Sequence, residues 1–150
     1  MAQAEKQRKP TNKRTRARRA SVQALYQWQL TGQSALEIEG QFVAERLAAI
    51  SGGVDFEYFQ WLLHEVIKQH ASLDEHYASL LDRPPEQLDP IEQVILRLGV
   101  LELSARPEVP LRVVINEAIE LAKLFGAEKS HRYINGVLDK AAAALRPTGL

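Results

Sequence analysis

Eight basic side chains crowd the first nineteen residues: Lys6, Arg8, Lys9, Lys13, Arg14, Arg16, Arg18 and Arg19, against the single acid Glu5. This stretch carries a net charge of +7. The remaining 131 residues hold 11 basic and 18 acidic side chains and carry −7. A formal net charge of zero therefore conceals a basic arm on an acidic body. Such a pattern favours a polyanion at one end only. Phosphate is the natural target, because clustered Lys and Arg release condensed counterions when they neutralise it. Arginine outnumbers lysine five to three in the arm, and guanidinium suits phosphate forks and base stacking better than ammonium does. A solubilising tail is the alternative reading of such a run. Arg18, however, continues the helical face of Val22 and Leu25, which joins the arm to a rigid element.

A second group is Ser130-His131-Arg132-Tyr133-Ile134-Asn135-Gly136, just past Gly126. A cation beside an aromatic offers phosphate attraction and a stacking platform, the two needs of single-stranded RNA binding. Taken alone, the pair reads more simply as a core tyrosine beside a solvated arginine. Gly136 sits inside a helical pattern, where glycine costs ~1 kcal/mol relative to alanine; a close helix contact or a partner is expected to require it. Catalytic signals are absent from the pattern. His64, His70, His76 and His131 have no zinc-like spacing to carboxylates. Glu117 and Glu120 are i, i+3 on a polar helix face, with no nucleophile or base beside them. Gly52-Gly53 breaks the chain and is no phosphate loop. The expectation is a binding protein, not an enzyme, with no cofactor and no metal.

The elements that must carry these groups read as helical throughout. A first helix starts near Thr15, carries Val22, Leu25 and Trp28, and stops at Gly32. A second covers Leu36 to Ile50 with Ile38, Phe42 and Leu47 inward, before Ser51-Gly52-Gly53. Asp55 caps a third, with Phe56, Phe59, Leu63, Val66 and Ile67 as its stripe. A separate short helix carries Leu73, Tyr77, Leu80 and Leu81 and ends before Pro84-Pro85. Asp89-Pro90 opens a helix to about Ala105 that is apolar nearly all round, hence central. Two more follow, Leu111 to Phe125 and Glu128 to Leu145. Val113-Val114-Ile115 is strand-like but leads directly into a helical run. The fold class is all-α with about seven helices and no internal repeat.

At 150 residues, 45% hydrophobic and 25% charged, the composition is that of one soluble globular domain. Residues 1–13 are too polar to order themselves and are expected to form a flexible arm on a domain spanning 14–150. No cysteine is present, which excludes disulfides and thiolate zinc sites and fits a reducing compartment. No signal-peptide run or ~20-residue apolar stretch is present. A cytoplasmic location is expected.

Three segments together resemble one family. Ser21-Val22-Gln23-Ala24-Leu25-Tyr26-Gln27-Trp28-Gln29-Leu30, preceded by arginines, is similar to the first helix of the NusB transcription antitermination family. Val114-Ile115-Asn116-Glu117-Ala118-Ile119-Glu120-Leu121-Ala122-Lys123 with Phe125-Gly126 resembles its next-to-last helix, and Ser130 to Lys140 its last. The resemblance covers about residues 14 to 146 in the family's order. It implies two packed helical subdomains, about 14–82 and 89–146. It also implies binding of the single-stranded boxA element of nascent ribosomal RNA as a heterodimer with NusE, a small-subunit ribosomal protein. That pair helps assemble NusA, NusG and RNA polymerase into a termination-resistant complex.

Carried over by position, the resemblance assigns RNA contact to Arg14, Arg16, Arg18, Arg19, Glu92, Lys129, Arg132 and Tyr133. It assigns NusE contact to Tyr26 and Leu30. In that reading the arm and the start of the last helix form one continuous RNA surface: arginines hold the backbone, Tyr133 stacks a base and Glu92 accepts from a base amino group. Two features depart from the family pattern. Thr15 interrupts the arginine run, and Lys129 is basic where relatives often have an acid; Lys6 to Lys13 extend beyond the usual motif and are expected to be dispensable. Some family members form homodimers that cover the RNA face, and the sequence leaves monomer and homodimer open. Two other readings are a NusB-like domain preceding an RNA methyltransferase, which the chain's end at Leu150 disfavours, and a protein adaptor with an incidental basic arm.

Overall fold

The computed structural model describes residues 11–150 of the chain. Lys6, Arg8 and Lys9 lie outside the described residues, as does most of the expected flexible arm. Among the described residues there are six α-helices and two short 3-10 turns, with no strand. The helices are α1 (Lys13–Thr31), α2 (Ala35–Glu45), α3 (Phe56–Ala78), α4 (Pro90–Ala105), α5 (Leu111–Phe125) and α6 (Ser130–Leu145).

Six helices replace the expected seven because the third and fourth are one. No glycine or proline interrupts Ile67 to Ser72. Leu73 and Tyr77 then continue the buried stripe of Phe59, Leu63 and Val66, so α3 runs unbroken for 23 residues. The second helix is shorter than its pattern: α2 ends at Glu45, and Leu47 sits half-buried on a 3-10 turn, Leu47–Ala49. α1 begins earlier than expected, because the Asn12 side chain accepts from the Thr15 backbone N–H at 2.7 Å and caps it. Gly32 closes α1 in the left-handed conformation, its N–H bonded to the Trp28 carbonyl.

The central placement of α4 holds. Ten consecutive residues, Val94 to Leu103, are buried, and α1, α3, α5 and α6 all pack against this helix. The buried side chains of α1–α3 and α4–α6 form one continuous core. At Gly99 a Cβ would lie 2.9 Å from both Leu138 methyls, so glycine is what lets α6 approach α4. The close contact expected at Gly136 is not there: nothing lies within 4 Å of a Cβ at that position, and the residue is exposed.

The C-terminus is pinned by one side chain. The buried Arg146 guanidinium donates to the carbonyls of Glu102, Leu103, Arg106, Val109 and Leu150. Four of these carbonyls lie in the last turn of α4 and the loop after it, and the fifth is that of the C-terminal residue.

Candidate nucleic-acid interface

Pairings along α4 fix which sites share an end of the molecule. Arg18 meets Glu102 and Thr15 meets Glu117 at one end. Gln29 meets Gln93, and Ser130 meets Glu92, at the other. The ten residue steps from Glu92 to Glu102 span ~15 Å of helix. The basic start of α1 and the Arg132–Tyr133 pair of α6 therefore occupy opposite ends of the central helix. The single continuous surface expected from the sequence becomes two stations.

At the first station the arginines have different duties. Arg18 is 3% exposed and does not face solvent, contrary to its expected role as a phosphate contact. Its guanidinium makes a bidentate pair with Glu102, Nε to Oε1 at 2.7 Å and Nη2 to Oε2 at 2.9 Å, and lies 3.4 Å from Glu117. The Tyr58 hydroxyl donates to Glu102 at 2.8 Å and the Thr15 hydroxyl to Glu117 at 2.7 Å. Burial alone would lower the Arg18 pKa, but the two carboxylates outweigh it and hold the cation more firmly. The same burial, reinforced by Glu102, pushes the Tyr58 hydroxyl up. Thr15, which interrupts the arginine run, is thus part of the anchor. The helical continuity of Arg18 with Val22 and Leu25 was the available signal; it marks an inward face, and the inward face is buried.

Arg16 is half-buried. It donates to the carbonyls of Gly53 (2.6 Å), Gly52 (2.9 Å) and Thr11 (2.9 Å), and so holds the α2–α3 loop to the start of α1. Arg14 keeps 42% of its side chain exposed, stacks 4.2 Å over the Tyr58 ring and lies 3.8 Å from Asp55. Arg19 is half-exposed and pairs with no acid among the described residues; Lys13 is exposed. Among the described residues, Arg14, Arg19 and Lys13 are cations that this end offers to a ligand.

At the second station, α6 begins just after Lys129, which is exposed and holds φ at 69°. It is the one non-glycine in the left-handed region among the described residues, a conformation costing ~1–2 kcal/mol for a side chain with a Cβ. Ser130 is buried and donates to Glu92 Oε2 at 2.8 Å. That bond ties the first turn of α4 to the first turn of α6. Arg132 is exposed. Tyr133 is half-buried against the core, and its hydroxyl is buried without a partner at hydrogen-bond geometry among the described residues. Burial pushes that hydroxyl up. Sequence reasoning missed Arg83, whose Cζ lies 4.6 Å over the Tyr133 ring. In sequence it is a loop charge before Pro84-Pro85, and no periodicity connects it to α6.

A groove of about 320 Å³ lies beside this station, lined by Val22, Tyr26, Leu30, Arg46, Ile91 and Phe125 among others. Leu30, one of the lining residues, is 65% exposed. Ile91 reaches the groove and Glu92, its chain neighbour, reaches the start of α6. The groove and the second station therefore share an edge. Among the described residues no helix is long and apolar enough to cross a membrane, and no group of His, Asp and Glu is placed to hold a metal.

The pattern that defines the NusB family matches residues 15–143. The chain belongs to the NusB family. It is 51% identical over 138 residues to the transcription antitermination protein NusB of Nitrosococcus oceani, covering 92% of this chain and 90% of that one. It is 57% identical over 136 residues to the protein of the same name from Halorhodospira halophila, covering 89% and 85%. Among solved structures it is similar to T. maritima NusB, with a TM-score of 0.76, 25% identity and coverage of 94% and 96%. It also matches a crystal structure of NusB and NusE in complex with double-stranded RNA, with a TM-score of 0.76, 27% identity and coverage of 87% and 96%. Members of this family are transcription antitermination factors, not enzymes.

Proposed function

We propose that the chain binds the boxA element of nascent ribosomal RNA together with NusE, and so helps assemble the antitermination complex that includes NusA, NusG and RNA polymerase. The observation that carries this reading is the shared edge between the groove and the second station. Tyr26 and Leu30 offer an apolar seat for NusE beside Glu92, Lys129, Arg132 and Tyr133. RNA held at that station can then touch both proteins. The solved relative bound to NusE and RNA supports the pairing of the two partners. The fold's freedom from any membrane-spanning helix among the described residues agrees with work in the cytoplasm.

The single strand runs from the Tyr133 end toward the basic start of α1, crossing ~15 Å along α4. Lys13, Arg14, Arg19, Lys129 and Arg132 supply about five phosphate contacts. At ~0.7 per contact for single strands, affinity falls roughly a hundredfold between about 50 and 200 mM salt. Titrating a labelled boxA RNA at those salts, with and without NusE, tests the reading. A flat salt response refutes the electrostatic account, and RNA affinity owed to NusE alone refutes RNA contact by this chain. Light scattering with and without NusE reads the monomer, homodimer and heterodimer populations directly.

A further inference from the structure

We propose that Arg83, carried by the loop between α3 and α4, is a further RNA contact that covers the Tyr133 ring in the free protein and yields that face to a base. This inference rests on the RNA-binding reading of the second station. The Arg83 guanidinium sits 4.6 Å over the Tyr133 ring, within cation–π range. Tyr133 is only partly buried against the core, and the Arg83 that covers its ring is itself exposed, so displacing the guanidinium opens that ring face to solvent. An arginine in that position does what a stacked base would do.

The contact is built to be exchanged. Besides the ring, the one partner of Arg83 at hydrogen-bond distance among the described residues is its chain neighbour Asp82, with Nε at 2.8 Å from Oδ1 and Nη2 at 3.5 Å from Oδ2. Both side chains are well exposed, 39% and 67%, and ion pairs between exposed groups contribute little. The loop has no regular structure beyond the Pro85–Gln87 turn, so moving Arg83 breaks no helix. Glu92 and Tyr133 both act electrostatically on Arg83, which places the cation among the groups assigned to RNA. When a base takes the ring face, the displaced guanidinium is left beside the strand's phosphates, and its fork can hold one. Asp82 competes with phosphate for the same guanidinium.

The test compares wild type, R83A, R83K, D82N and R132A with a labelled boxA RNA at about 50 and 200 mM salt. Loss of one single-strand contact lowers the salt slope by ~0.7. The ratio of wild-type to R83A affinity then shrinks about 2.6-fold between those salts. R83K keeps the slope, and D82N binds more tightly than wild type. In the free protein the Arg83 side-chain protons are ring-shifted by Tyr133, and RNA removes the shift. An R83A slope equal to wild type, or a ring shift that persists in the complex, overturns the proposal. If R132A lowers the slope while R83A does not, the station binds RNA without Arg83. If neither R132A nor wild type shows salt-dependent binding, the RNA reading of the station has failed instead.

Discussion

Replacing Arg18 by alanine strands Glu102, a carboxylate 2% exposed in the middle of the helical core. In the folded chain it receives two guanidinium bonds and one tyrosine hydroxyl. After the substitution only the Tyr58 bond remains, and Glu117 keeps only Thr15. Breaking a buried pair from one side costs about 3–5 kcal/mol, because the remaining charge is desolvated and unpaired. Domains of this size have about 5–15 kcal/mol in total, so R18A loses about a fifth of its stability or more. Urea unfolding at pH 7, followed by far-UV circular dichroism, measures the loss. Removing both partners with apolar residues of similar volume, R18M with E102L, returns most of it, since the desolvation of both charges disappears. RNA binding by R18A, measured at low temperature where it is folded, keeps the wild-type salt slope because no phosphate contact has been removed. If R18A instead unfolds within about 1 kcal/mol of wild type and its salt slope drops, the guanidinium reaches RNA, and the assignment of Arg18 as an anchor is wrong.

Tyr133→Ala lowers RNA affinity by ~1–3 kcal/mol if a base stacks on the ring; an early-melting variant with unchanged affinity shows that the ring serves the core alone. Gly136→Ala stabilises the fold by about 0.5–1 kcal/mol, since the site is open and helical. If RNA or NusE binding weakens in that same variant, a partner approaches the backbone there; unchanged binding removes that explanation for the glycine. Tyr58 and Tyr77 both have pKa values raised by burial, with Glu102 and Asp74 respectively adding to it. The unfolded chain releases these protons near pH 10 while the folded chain retains them, so stability is present below that pH and falls above it. The limiting slope is ~1.4 kcal/mol per pH unit for each tyrosine, and urea midpoints at pH 9 to 11.5 should show each Tyr→Phe variant removing its share.

How much was legible in the sequence depends on how local the cause is. Helix existence, the caps at Asp55 and Asp89 and the central position of α4 follow from side-chain periodicity and from residues that cap or break the chain nearby. The third and fourth expected helices merged because a drop in apolar density near Lys68 to Ser72 looks like a boundary, whereas a helix needs a breaker to stop. Charge separation was visible directly, and so were Lys129, Arg132 and Tyr133 as a cluster, since they are chain neighbours. The sequence could not divide the arginines. Arg14, Arg16, Arg18 and Arg19 are alike in type, and only packing against α3, α4 and α5 turns Arg18 inward to Glu102 and Glu117, ties Arg16 to Gly52 and Gly53 and leaves Arg14 and Arg19 accessible. The tertiary structure also decided the distance between stations, because α1 and α4 run antiparallel and carry the arm away from the start of α6. It alone brought Arg83 to Tyr133 across fifty residues of chain. Composition and periodicity determined what kinds of side chain the protein presents and the helices that bear them; long-range packing determined which of those charges water, and therefore RNA, can reach.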